Sequence, residues 1–130
     1  MDPVFPQLFR FSDLALLCLR VIVAAVFFES GRRHVKDPVG RGASVGLSPG
    51  LSLALGWAEM AAALGVALGI LTQVAGLVLI GVMMGAIQKK VFVWHTGFWG
   101  ENTYGWHYDL TYLVANLVIL TTGGGRLVLV

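Results

Sequence analysis

The chain has 130 residues, of which 57% are apolar and only 12% charged, against roughly 25% charged in soluble domains. That set cannot cover a soluble core with polar side chains, and its long apolar runs point to lipid as the solvent, with no room for a separate soluble catalytic domain. The formal net charge is +2, but the basic residues lie in connections between apolar runs and not along one helix face, so nucleic acid is not an expected partner.

In chain order, residues 1–13 hold Asp2 and Asp13 against Arg10, and the first apolar run contains Arg20. No cleavable leader is expected, and the first helix, about 13–30, should stay in the protein. Cys18 is the sole cysteine, which excludes disulfides within the chain and CxxC redox chemistry. Residues 31–50 contain Gly31, Pro38, Gly40, Gly42, Gly46, Pro49 and Gly50 and read as a long irregular connection. A second helix covers about 51–71, with Thr72 and Gln73 as a tight turn into a third at about 74–91. Residues 92–105 carry Trp94, Trp99 and Tyr104, aromatic residues typical of the headgroup level. A fourth helix covers about 106–122, followed by Gly123, Gly124, Gly125 and Arg126.

Within a bilayer each segment must satisfy its own backbone, so all four are helical. The expected fold is all-α: an integral membrane four-helix bundle forming a single transmembrane domain over residues 1–130, with the lipid bilayer as its first partner. Both long connections fall on one side, which holds Arg32, Arg33, Lys36, Arg41, Lys89 and Lys90, whereas the side of the termini holds Arg10 and Arg126. The excess of basic residues on the cytoplasmic side places both termini outside. Gly65 with Gly69 and Gly81 with Gly85 have the spacing that lets helices approach closely; they are expected to pack the second helix on the third, with protomer pairing as the other use.

Three polar residues interrupt the apolar runs. An ionisable group in a spanning helix costs about 2.5–3.5 kcal/mol on insertion scales and is normally paired, buried or functional. Counted from the side of the long connections, Arg20, Glu59 and Asn116 each lie roughly 12 Å deep. They are expected to form a buried ion pair, Arg20 with Glu59, with Asn116 hydrogen-bonded to one of them. On one reading the network fixes helix register; on the other, Glu59 handles a proton or a polar ligand head group.

A second constellation falls near the face of the long connections: Glu29, His34, Gln88, Lys89, Lys90, His95, Glu101, His107 and Asp109. Imidazoles with nearby carboxylates suit a divalent metal, a haem or the carbonyl of a quinone. No pair has a compact HxxxH spacing, so no metal is expected. Glu29, His34, Gln88, His95, His107 and Asp109 are the candidate contacts for quinone or another polar ligand, with membrane anchoring as the plainer role.

Leu19-Arg20-Val21, Gly31 with Lys36, Gly56-Trp57-Ala58-Glu59, Gly105-Trp106-His107-Tyr108-Asp109-Leu110 and Gly123-Gly124-Gly125-Arg126 occur in an order that resembles the DoxX family of small four-helix membrane proteins. The resemblance covers nearly the whole chain. It implies a bacterial or archaeal cytoplasmic-membrane protein, in a family associated with quinone-linked sulfur oxidation, as in thiosulfate:quinone oxidoreductase, and with membrane complexes that respond to oxidative stress. It also places Arg20 and Glu59 on the family's charged intramembrane positions. His107 stands where many members have Glu, Gly124 where many have Pro, and residues 127–130 replace a common Ser-Leu-Asp ending.

Three functions compete. The first is a quinone-linked redox subunit whose electron donor sits on a partner, because no haem, flavin or cluster motif is evident. The second is a non-catalytic accessory subunit packed against other membrane proteins or against copies of itself. The third, a small transporter, ranks last because only one polar layer is visible.

Overall fold

A computed structural model describes residues 3–100 and 104–128; Glu101 and the last two residues of the 127–130 ending lie outside the described residues. The described residues form five α-helices: α1 (Ser12–Lys36), α2 (Pro38–Val45), α3 (Pro49–Leu68), α4 (Thr72–Gln88) and α5 (Trp106–Thr122). Four are long and build the bundle, while the short α2 folds across one end. α1 packs most extensively on α3, and α4 on α5, with α3 and α4 meeting along a shorter line.

The first helix does not stop near residue 30. α1 continues to Lys36 because Gly31 is a crossing point and not a turn. A Cβ on Gly31 would lie 2.5 Å from the Gly56 carbonyl oxygen, and one on Gly56 would lie 2.7 Å from the Gly31 carbonyl oxygen. Two glycines facing each other let the α1 and α3 backbones touch, so the helix can run on through the contact. The expected irregular connection is therefore largely helical. Pro38 occupies the first turn of α2, where its missing N–H is harmless, and the Asp37 side chain accepts from the Gly40 N–H at 3.1 Å.

The turn between the second and third long helices lies one step earlier than expected. Gly69, at φ 76°, ends α3 in the left-handed conformation, and the N–H groups of Gly69 and Ile70 both donate to the Gly65 carbonyl at 2.9 Å. Thr72 and Gln73 open α4 instead of forming the turn, and Gln73 Nε2 donates to the Leu120 carbonyl at 3.0 Å. The expected glycine pairing across α3 and α4 does not form. Gly65 does approach the Ala75 Cβ, but Gly69 is the helix cap, and a Cβ on Gly81 or Gly85 would have no described atom within 4 Å. α4 ends in a single π-helical turn, Lys89–Val93, in which the Trp94 N–H reaches the Lys89 carbonyl at 2.8 Å.

The core is made of Val23, Ala24, Phe27, Ala62, Ala63, Val66, Ala75, Leu79, Met83 and Ile119. Larger apolar side chains, among them Leu64, Leu77, Val74 and Met84, point outward. In the most apolar windows of the three helices long enough to cross a membrane, between 17% and 33% of residues are buried, so most of this apolar surface is available to lipid. α5, with 17 residues, spans about 25 Å, close to the thickness of a hydrocarbon core.

Candidate functional site

Two buried polar sites lie at opposite ends of the α1–α3 contact. At the end near the termini, Arg20 is 1% exposed. Nη1 donates to the Gly124 carbonyl at 3.1 Å and Nη2 to the Ala67 carbonyl at 3.4 Å. Those acceptors belong to the C-terminal end of α3 and to the turn just after α5, where unpaired carbonyls carry partial negative charge. Arg20 thus caps two helix ends at once. Its Nε is buried without a hydrogen-bond partner among the described residues. Beside it, Asp13 Oδ1 accepts from the Arg126 N–H at 3.0 Å.

The expected Arg20–Glu59 ion pair is absent among the described residues, although both side chains are buried. α1 runs eight residues beyond Phe28, so depth counted from Phe28 is in error by about 12 Å. Asn116 joins neither partner. It is fully buried, its Nδ2 donates to the Tyr112 carbonyl at 2.8 Å within its own helix, and its Oδ1 has no partner among the described residues.

Glu59 meets the far part of α1 instead. Ser30 Oγ donates to both carboxylate oxygens at 3.3 Å. His34 Nε2 lies 3.9 Å from Glu59 Oε2, and both side chains are at most 5% exposed. On the other side of the ring, His34 Nδ1 is 2.8 Å from Ser52 Oγ. With Nδ1–H donating to Ser52 Oγ, Nε2 is the ring nitrogen that faces the carboxylate and can take up or return a proton. Arg41, on α2, lies close enough for its charge to act on both His34 and Glu59.

The geometry suits a group that holds one proton. If both partners were ionised, their attraction at 3.9 Å would be about 4 kcal/mol at an effective dielectric of about 20. Removing the two charges from water costs several kcal/mol per ion. With one proton between them, the pair is net neutral whether that proton rests on His34 or on Glu59, and it passes between the two without moving net charge into or out of the membrane.

The six residues grouped as candidate quinone contacts do not gather around one space. His34 belongs to the Glu59 cluster. Glu29 is partly exposed and bridges Arg32 at 2.7 Å and Arg33 at 3.2 Å. Asp109 is buried against Lys90 Nζ at 2.7 Å, a charge contact between α5 and the π turn that closes α4. His107 Nδ1 donates to the Phe98 carbonyl at 2.7 Å, and its ring lies against Trp99 with centroids 5.1 Å apart. Gln88 and His95 are exposed. Among the described residues no group of three or more His, Cys, Asp and Glu side chains is placed to hold a metal ion.

Ser30, Ser52 and Arg41 were not singled out from the sequence. A signal exists for the two serines: Ser30 and His34 are four apart, and Ser52 and Glu59 are seven apart, so each pair shares a helical face once α1 extends past residue 30. Arg41 carries no such signal, because its position depends on α2 folding back over the helix ends.

No curated protein and no solved structure matches the chain. The family model described as DoxX matches residues 15–96, from the first helix through the end of the π turn and including Arg20, His34, Ser52 and Glu59. That span is more than half of the chain, and with its apolar helices the protein is a membrane protein that belongs to the DoxX family.

Proposed function

We propose that this protein is a redox-linked membrane subunit in which the His34–Glu59 pair holds and passes a proton for a quinone-linked reaction whose electron donor resides on a partner subunit. The observation that carries the reading is the position of Glu59: a carboxylate 2% exposed, held by Ser30 and faced by a histidine. Ionisable side chains buried in spanning segments are commonly parts of proton relays. The reading assigns the chain no quinone pocket of its own, since the six candidate contacts are spread over separate sites. The setting is the cytoplasmic membrane of a bacterium or archaeon, with both termini outside, supported by the six basic residues on the side of the long connections.

The test is purification in mild detergent, with mass spectrometry of copurifying proteins and extractable quinone, followed by redox turnover of the recovered complex. Glu59→Gln should leave assembly intact and lower quinone-linked turnover by about 100-fold, the scale of a lost proton-transfer group. Native turnover in both Glu59→Gln and His34→Ala would remove the proposal. One observation favours a non-catalytic accessory role: Gly81 and Gly85 leave a small-residue face of α4 open, the kind of surface on which another membrane helix packs. A stoichiometric partner whose activity ignores Glu59→Gln would select that role.

A further inference from the structure

Where α1 ends and α2 folds back, a pocket of about 480 Å³ is lined by Arg33, Lys36, Asp37, Gly40, Arg41 and Ser44. We infer that this pocket binds the phosphate of one anionic phospholipid headgroup.

Three cations face one acid there, and the acid is engaged: Asp37 Oδ1 accepts from the Gly40 N–H. Lys36 has no ion partner among the described residues, and Arg41 Nε is buried without a hydrogen-bond partner among them. Arg33 shares Glu29 with Arg32, so its guanidinium is only partly committed. Guanidinium groups match phosphate oxygens with paired N–H donors, and a lysine adds a point charge.

The position selects a lipid over a soluble anion. The pocket opens just past the last residue of α1 and at the level where α3 begins, the ends of two spanning segments. Headgroup phosphates lie at that level, and basic pockets between helix ends are a known form of anionic-lipid site. Val39 on α2 is 65% exposed and supplies an apolar contact for the adjoining acyl-chain boundary.

Native mass spectrometry of the detergent-purified protein, titrated with phosphatidylglycerol or phosphatidylcholine, tests this. One phosphatidylglycerol per chain should be retained, with phosphatidylcholine bound far more weakly. Lys36→Gln should weaken retention about fivefold, and Arg33→Gln with Lys36→Gln about 30-fold, at roughly a fivefold loss per interfacial cation. Both side chains are solvent-accessible, so the variants keep the fold, which a thermal melt verifies. Arg126→Gln, at the opposite end, should bind like the unaltered chain. Equal retention of phosphatidylcholine, unchanged binding in the double variant, or occupation by inorganic phosphate that displaces the lipid would each overturn the assignment.

Discussion

Arg20 and Glu59 are both buried charged side chains on the α1–α3 contact, yet their surroundings differ in kind. Arg20 donates to backbone carbonyls at the ends of two helices, acceptors that cannot change protonation state and that need a donor in any case. Glu59 is held by a serine hydroxyl and faces a histidine at 3.9 Å, partners that can rearrange or titrate. A buried charge satisfied by carbonyls locks the chain; one satisfied by hydroxyls and an imidazole leaves a proton free to move. The first arrangement is structural by its chemistry, and the second is the one to probe for function.

The largest effect should come from Arg20→Ala, which leaves the Ala67 and Gly124 carbonyls without their donor. Charged hydrogen bonds contribute about 1.5–3 kcal/mol each, so a loss of about 3 kcal/mol is expected in a detergent unfolding titration. A loss below about 1 kcal/mol would show that Arg20 is not the cap described. Gly31→Ala should follow, at about 2 kcal/mol, because the added methyl forces the α1 and α3 backbones apart. The same change should widen the His34–Glu59 gap, so turnover should fall more than stability alone accounts for, and parallel activity and melting curves separate the two.

Smaller still is Ser52→Ala, which removes the hydroxyl from His34 Nδ1 and should cost about 1 kcal/mol, with a changed imidazole tautomer visible by nitrogen-15 NMR. Glu59→Gln keeps an acceptor for Ser30, so its stability change should stay within about 1 kcal/mol while its carboxylic infrared band disappears. A large loss of stability in Glu59→Gln would erase the contrast with Arg20. Gly81→Ala should change the stability of the isolated chain by no more than about 0.5 kcal/mol, since no described atom lies near the added methyl; a loss confined to the assembled complex would locate a partner on that face.

Composition and apolar runs by themselves determined the class. An all-α membrane bundle follows from low charge and long apolar segments, because a backbone in lipid has few ways to satisfy its hydrogen bonds. The burial of Arg20, Glu59 and Asn116 was legible for the same reason: a polar group in an apolar run avoids lipid by turning inward. Which of them meet was not legible. That depends on helix register, and the register hinges on Gly31, a residue that reads as a turn in sequence and acts as a crossing point beside Gly56. Moving the end of α1 from residue 30 to Lys36 carried His34 out of a connection and into the core, beside Glu59. It also turned Lys36 and Arg41 into the walls of one pocket, because α2 could then fold back over the helix end. Local sequence sets how apolar each segment is, whereas contacts between segments depend on where every helix stops, and only the packed bundle decides that.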